Sequence, residues 1–558
     1  MIMKERYIAL MDRALDAYTR EHIESYYQSV LQDGLKEHGF PRLTANIGVL
    51  IAHERRRELL PLFIKMMDVC CESFSRVKAA NDFSVREILC CLLELEPTHI
   101  IDEDKLSYWN ELLRAIRPET CYNIFAKQPE DPVFNWALFS GTSEYLRQYC
   151  GLCHSEEFID TQIASQLKWL DENGMYRDAM RHPPMVYDNV SRYLFTILLH
   201  FGYNGRYRDD IDTALEKAGR LTLLMQSVTG EIPFGGRSNQ FVHNEGQIST
   251  IFEYEARRYA ARGDMNIASR FKAAAKKALD VTERYLSEEP ISHIKNRFPR
   301  ETCYGCEGYG YFDKYMITTA SHLFSAYLMC DESIPTAEES TPEAYTFLTS
   351  LHFNKFFMRG GDYFAEINLD DNPHYDACGL GRLHRKGAPS AICLSHPGAS
   401  HPAYTIEGDS TTAFSFSPGI IHEGKWHFAT EDAPYEVIHR ESSETESRAC
   451  VLCACTPEKR GRLDYTLNNE GLSITFTRSG KIAHMLPAFC FDGETSPAIT
   501  FDNHSLSIHY RGWICQYTTD GTIEDSGTVA QNRNGHYRLF HAVGQDTLEV
   551  HVEIFKDQ

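Results

Sequence analysis

The hydrophobic period of this chain changes once, and that change constrains the fold more than any single motif. From residue 4 to about residue 328, apolar side chains recur at helical spacing, as on helices buried along one face. Clear examples are 7–18, 59–74, 85–95, 134–149, 158–171, 189–201, 211–226, 245–261, 266–286 and 311–329. Turn signals separate them at Pro41, Pro97-Thr98, Pro129-Glu130-Asp131-Pro132, Asn173-Gly174, Pro183-Pro184, Asn204-Gly205 and Pro299. The spacing predicts about a dozen helices in consecutive antiparallel hairpins. After Pro335 and Pro342 the apolar runs become short, alternating and rich in β-branched and aromatic residues, at 353–359, 363–369, 411–417, 426–430, 448–455, 472–477, 498–501, 505–510 and 547–555. Asn468-Asn469-Glu470-Gly471 and Ser479-Gly480 supply hairpin turns. The second part therefore reads as an antiparallel sandwich, and the chain carries no internal sequence repeat.

At 558 residues the chain is long enough for two or more cores. Its net charge of −22 excludes nucleic-acid binding through a general basic surface. Local basic clusters stand out against that background. No run approaches membrane-spanning length. Met1-Ile-Met-Lys-Glu-Arg leads directly into an amphipathic segment, without the apolar core of a signal peptide. The 17 cysteines are odd in number, and many lie in apolar helix-period contexts such as Cys70-Cys71 and Cys90-Cys91. Such thiols behave as small buried hydrophobes, so a cytoplasmic protein is expected.

Helical hairpins followed by a large antiparallel sandwich resemble a broad group of carbohydrate-active enzymes with an (α/α)6 toroid and a β-sandwich. That group includes polysaccharide lyases and several glycoside hydrolase families. The resemblance implies an α+β chain in two domains, a toroid over residues 1–340 and a sandwich over residues 341–558. It implies architecture rather than chemistry. The plainer alternative is a helical scaffold without catalysis.

Four segments carry the polar chemistry, and in a toroid each lies at a loop-to-helix junction on one rim. The first is Phe134-Asn135-Trp136, with Glu144 and Arg147. The second runs from Pro184 through Tyr187, Asp188 and Asn189 to Arg192, preceded by Tyr176-Arg177-Asp178. The third is Gly235-Gly236-Arg237-Ser238-Asn239-Gln240-Phe241-Val242-His243-Asn244-Glu245. The fourth is His293-Ile294-Lys295-Asn296-Arg297-Phe298, continuing over 304–315 through Tyr304, Glu307, Tyr309, Tyr311, Asp313 and Lys314. Sugars ask for this mixture, because aromatic faces stack on pyranose rings while amides and carboxylates bond their hydroxyls. Any one segment alone is more easily read as structural; together they point to a sugar cleft.

Arg177, Arg192, Arg237, His243, Lys295, Arg297 and Lys314 recur inside these motifs. On so acidic a chain they suggest an anionic substrate, and a uronic acid is the natural candidate. A basic run in the sandwich, from His374 through Arg382 and His384 to Lys386, reads equally as a reach toward that acid or as a solvated hairpin. Two reactions fit. Hydrolysis needs two carboxyl groups, and Glu245, Glu307, Asp188 and Asp313 form the pool, with Asp178 and Glu144 as weaker candidates better suited to ion pairs. Elimination needs a base such as Tyr309, Tyr311 or His243, with Asn239, Arg237 and Arg192 to neutralise the uronate. Tyr187, Tyr304, Tyr311, Lys314, Arg382 and His384 complete the candidate sugar-binding set.

Three of the four segments hold a carboxylate flanked by aromatics or amides, which tilts the sequence toward hydrolysis. The sandwich also lacks a His-x-His-x-x-Asp pattern of the heparinase II/III kind. With its Gly-Gly-Arg-Ser-Asn-Gln and Tyr-Phe-Asp-Lys-Tyr segments, the chain is most similar to the exo-β-glucuronidases of glycoside hydrolase family 154. That resemblance implies removal of a terminal uronic acid from an oligosaccharide. No cofactor, nucleic-acid or membrane partner is expected; a homo-oligomer is compatible. Cys303-x-x-Cys306 with Glu301 and Glu307 offers a zinc-like set, but no second ligand pair accompanies it, so no metal is expected. A non-catalytic glycan-binding protein is the remaining alternative.

Overall fold

A computed structural model describes residues 2–337, 344–408, 412–456 and 459–557. The helices are α1 (Met3–Leu15), α2 (Arg20–Asp33), α3 (Gly39–Ala52), α4 (Leu60–Phe74), α5 (Val85–Leu95), α6 (Glu103–Arg114) and α7 (Pro118–Cys121). They continue with α8 (Asn135–Tyr149), α9 (Glu156–Leu167), α10 (Met185–His200), α11 (Arg208–Met225), α12 (His243–Ala261), α13 (Met265–Leu286) and α14 (Phe312–Met329). Helices α3, α5, α8, α10, α12 and α14 each pack on the next, and α14 closes back on α3. The result is a ring of six inner helices, covered outside by α1, α4, α9, α11 and α13. Arg42 bonds Thr318 and Asn46 bonds Ser321, one turn further along both helices, so α3 and α14 run parallel.

The inner helices are buried around most of their circumference, as a ring inside a ring requires. Helix α3 is the instructive one, because its sequence carries the Pro41 turn signal. Pro41 is its third residue, in the first turn, where backbone N–H groups have no intrahelical acceptor and a missing one costs nothing.

The strands are β1 (Tyr345–Leu348), β2 (Lys355–Gly360), β3 (Tyr363–Asn368), β4 (Gly379–Arg385), β5 (Pro418–His422), β6 (Lys425–Phe428), β7 (Tyr435–Ser442) and β8 (Ser447–Thr456). Then come β9 (Lys459–Asn468), β10 (Gly471–Phe491), β11 (Ala498–Phe501), β12 (Ser505–Tyr510), β13 (Trp513–Thr519), β14 (Thr522–Asn532) and β15 (Gly535–Lys556). One antiparallel sheet has the order β1-β2-β3-β4, and the other has 11 strands around a central β10–β15 pair. That pair runs from Leu472 opposite Val552 to Phe491 opposite His536, with a register shift between Thr477 and Lys481. Both sheets bury side chains in one core, Phe356, Met358 and Ile367 meeting Val451, Leu463 and Ile474. The segment expected as a strand at 411–417 forms only isolated bridges, Phe414 to Gly398 and Phe416 to Leu380, and residue 411 lies outside the described residues. The expected boundary at 340/341 also lies outside them. No described helix is long and apolar enough to cross a membrane.

A buried ionic layer joins the helices to the sandwich. Glu366 on β3 receives Lys355 at 3.0 Å and Arg382 at 3.2 Å, and all three side chains are almost fully buried. Arg382 also donates to the carbonyl of Ile232 at 2.6 Å, and His384 bonds Ser227 at 2.7 Å. Arg382 and His384 are therefore spent on gripping the 227–232 loop, so their expected reach toward a sugar is corrected. Buried cations need a partner, and Glu366 supplies it within the same sheet while Ile232 and Ser227 tie the cluster to the helical part.

Candidate active site

The first turns of the inner helices converge on one mouth, and they bring parts of all four polar segments together. Asn135 opens α8 and donates to Asp178 at 3.0 Å. Asp178 in turn pairs with Arg237, whose guanidinium lies 4.1 Å over the ring of Tyr187 in the first turn of α10. Tyr187 and Tyr309 reach the hydroxyl of Ser238 from either side, at 3.4 Å and 2.9 Å. Tyr309 faces Tyr315 in α14 with ring centroids 6.2 Å apart, and Tyr315 faces His243 at 5.2 Å. His243 opens α12 and meets His322, which meets Tyr193. Phe83, Trp136 and Phe139 pack on one another, and Arg86 lies over both Phe139 and Tyr193. Parallel helices that start at one mouth present their positive ends there, which favours an anion.

Residues 235–242 owe their shape to a strained backbone. Gly235, Gly236, Ser238 and Gln240 all have positive φ, at 126°, 75°, 58° and 64°. Non-glycine residues adopt that region at a cost and hold it only when the surroundings dictate it. The loop is held from three directions. Met185 N–H donates to the carbonyl of Gly235 at 3.2 Å, Lys295 N–H donates to Gln240 at 2.9 Å, and Gly236 N–H donates to Asp376 of the sandwich at 3.3 Å. Ser238 N–H donates to Glu307 at 2.7 Å, which ties the loop to the Tyr309 segment.

The acid/base pool separates sharply. Glu245 is fully buried, bonded to Lys295 at 2.6 Å and to the Ile232 amide at 3.2 Å. It lies two residues after His243, about 200° around a helix, so one side chain facing the mouth turns the other away. Asp188 is locked to Arg192 at 2.6 Å and accepts the amide of Tyr176, which takes both Asp188 and Arg192 out of reach of a ligand. Asp313 points outward to His22 at 3.7 Å and lines a cavity of about 460 Å³ with Tyr311 and Glu37. Asn239 spends its amide on the carbonyl of Pro233 and on Gln240, holding its own loop. Tyr304 is stacked on Phe298 at 3.6 Å, away from the mouth. Each of these placements corrects an expected catalytic or sugar-contacting role.

Of the expected residues, the mouth gathers Tyr187, Arg237, His243, Glu307, Tyr309 and Lys314, with Tyr311 at its outer edge. Arg237 and Tyr309 remain 38% and 37% exposed, whereas Glu307 is 4% exposed and paired with Arg533 of the sandwich at 2.6 Å. Burial raises the Asp178 carboxyl to about 6, against the opposing pull of Arg237. Burial likewise pushes the Tyr309 hydroxyl up, with Tyr187 and Glu307 adding to it. The His243 imidazole is driven well below its ordinary value by burial, then by His322 and Arg42, so it is neutral at neutral pH. Trp136 and Tyr315 belong to the first and fourth polar segments, whereas Arg533, His322, Arg42, Arg86 and His38 lie outside all four. The Cys306 thiol sits 3.4 Å from His293, and burial pushes it up to about 12, so it acts here as packing.

No family model and no curated protein matches the sequence. Solved structures that follow a similar chain path include a heparan sulfate lyase HepC mutant from Pedobacter heparinus, at 10% identity over 93% of this chain and 76% of that one, with a TM-score of 0.49. They also include a chondroitin AC lyase mutant from Streptomyces coelicolor A3, at 10% identity over 99% and 79% with a TM-score of 0.41. A glycosyl hydrolase of family 88 from Bacteroides vulgatus aligns at 12% identity over 58% and 98%, with a TM-score of 0.37. At this distance the chemistry has to be argued from the side chains.

Proposed function

We propose that this protein is a carbohydrate-active enzyme that cleaves the bond to a uronic acid in an oligosaccharide, by β-elimination. The observation that carries the reading is the contrast at the mouth. A guanidinium and a phenol, Arg237 and Tyr309, are open to a ligand, while Glu245 and Asp188 are sealed in ion pairs and Asp313 faces away. Hydrolysis requires two carboxyl groups reaching the scissile bond. Elimination requires a base, an acid and positive charge near the carboxylate.

His243 is the base, because its ring is neutral and its Nδ1 is buried without a hydrogen-bond partner among the described residues. The imidazole takes the proton from C5, and the electrons of that C–H bond become the C4–C5 double bond. The C4–O bond breaks with its electron pair on oxygen, and the Tyr309 hydroxyl protonates that oxygen. Cations at the mouth stabilise the negative charge that develops on the carboxylate.

Hydrolysis, as in the family 154 β-glucuronidases, is favoured by one observation. Asp178 and Glu307 both act on Tyr187, and the Asp178 carboxyl is raised to about 6, which suits a general acid. The test is incubation with an oligosaccharide that carries an internal 4-linked uronate as well as a uronate at its non-reducing end, following ultraviolet absorbance and free uronate together. Growth of the unsaturated-uronate absorbance supports elimination. Free saturated uronate with flat absorbance overturns it in favour of hydrolysis. A reducing compartment suits the 17 unpaired thiols and forms part of the proposal.

A further inference from the structure

Below Arg237 and Tyr309, the floor of the mouth collects positive charge that its own carboxylates do not match. Arg42 pairs with Glu87 at 3.0 Å without its Nε–H bonding it, Nη1 donates to Thr318 at 2.7 Å, and Arg86 shares Glu87 at 3.1 Å. Lys314 has Glu37 at 3.7 Å. Three fixed cations (Arg42, Arg86, Lys314) thus face two carboxylates (Glu37, Glu87), a surplus of one. Three imidazoles border the same space. His38 lies 4.8 Å from the ring of Phe83, on which Arg42 also rests at 5.7 Å, and His243 and His322 lie 5.5 Å apart. The Nδ1 atom of His38 is buried without a hydrogen-bond partner among the described residues, as is Nη1 of Arg86.

Unpaired buried donors and unmatched positive charge are each costly, and a native fold retains them where a ligand completes them. The floor is not sealed, because His38, Arg42, His243, Thr318 and His322 keep 8%, 4%, 4%, 5% and 5% of their surface open. Arg42 depresses the basicity of His38, His243, His322 and Lys314, with burial as the first cause in each, which places all four within its field.

We propose that this floor is an oxyanion site, formed by Arg42, Lys314 and His38, that takes the carboxylate or a sulfate of an acidic sugar. The rim guanidinium of Arg237 then contacts the sugar hydroxyls rather than its acid group. A carboxylate on Arg42 leaves the carbon beside it next to His243, on the same floor. That an anion binds here stands on the charges alone; that a sugar carries it rests on the function proposed above.

The test is calorimetric titration of the full-length protein with glucuronate, glucose and inorganic sulfate. Glucuronate is expected to bind at least about tenfold more tightly than glucose, the scale of one charge-assisted pair. Arg42→Gln should bring that ratio near one, whereas Arg237→Gln should weaken both sugars alike. Lys314→Met and His38→Asn, which leave the Arg42–Glu87 pair in place, decide the matter if Arg42→Gln does not fold. Sulfate that competes with glucuronate means the site reads charge from either source. Glucuronate binding that sulfate does not displace means it reads a carboxylate. Sulfate binding that depends on Arg42, without binding of either sugar, keeps the anion site and overturns the sugar reading. Equal binding of glucuronate and glucose, or a ratio untouched in all three folded floor variants, overturns the site.

Discussion

The backbone N–H of Ser238 donates to Oε1 of Glu307 at 2.7 Å, and Arg533 donates to the same oxygen at 2.6 Å. The contact joins a strained loop before α12, the segment before α14 and a residue of the β14–β15 hairpin turn. The mouth is therefore a joint product of the toroid and the sandwich. Tyr309, two residues beyond Glu307, owes its position to this clamp.

Replacing Tyr309 by Phe removes one hydroxyl and leaves the ring packing intact. On the elimination mechanism, kcat falls by about 10²–10⁴-fold with little change in KM, the usual size of a lost general acid. Steady-state kinetics on an oligosaccharide with an internal 4-linked uronate checks this. A variant with wild-type kcat removes Tyr309 from the mechanism.

The pH profile reports Asp178. Its carboxyl titrates near 6, so above that pH it is ionised and orients Arg237, and below it the pair weakens. Activity is expected to fall as pH drops through about 6 and to lose that limb in Asp178→Asn. His243 contributes no limb near 6.5, because its imidazole titrates well below that value. For stability the sign reverses. A raised carboxyl binds its proton more tightly in the native state, so the contribution of Asp178 is present at low pH and is lost as pH rises through about 6.

Glu245→Ala separates a structural carboxylate from a catalytic one. The change leaves the buried Lys295 with Glu231 at 4.0 Å in place of a partner at 2.6 Å, and stability is expected to fall by roughly 3 kcal/mol, the low end for a broken buried pair. Denaturant unfolding reads the loss, and the folded fraction should retain its kcat.

Gly236→Ala tests the strained loop. At φ 75° a new Cβ would lie 2.7 Å from the Cα of Pro184, so the backbone itself must move. The expected cost exceeds about 1 kcal/mol, and KM rises because Arg237 shifts with the loop. Wild-type KM in this variant would mean that Arg237 does not bind the substrate.

The hydrophobic period was enough to place the long helices α8, α10, α12, α13 and α14 and to mark the change to strands. It did not reveal α3, because Pro41 signals a turn in sequence but is harmless in the first turn of a helix. Clustering of amides, aromatics and cations drew attention to 235–245 and 304–315, since a polar loop at a helix start is visible in one dimension. It could not rank the carboxylates, because Glu245, Asp188, Glu307 and Asp313 look equally available until their partners are known.

By itself, then, the sequence determined an acidic chain of helical hairpins followed by strands, with polar junctions ahead of several helices. These properties are local, set by spacing along the chain and by the dihedral preferences of each residue. Only the tertiary structure decided that His243 faces the mouth while Glu245 faces Lys295, and that Glu307 is held by Arg533, 226 positions away in sequence. It alone also brought Arg42 beneath residues from α12 and α14. The physical reason is that charge pairing and burial depend on distances in space, which the closure of the ring and the docking of the sandwich set and the order of residues does not.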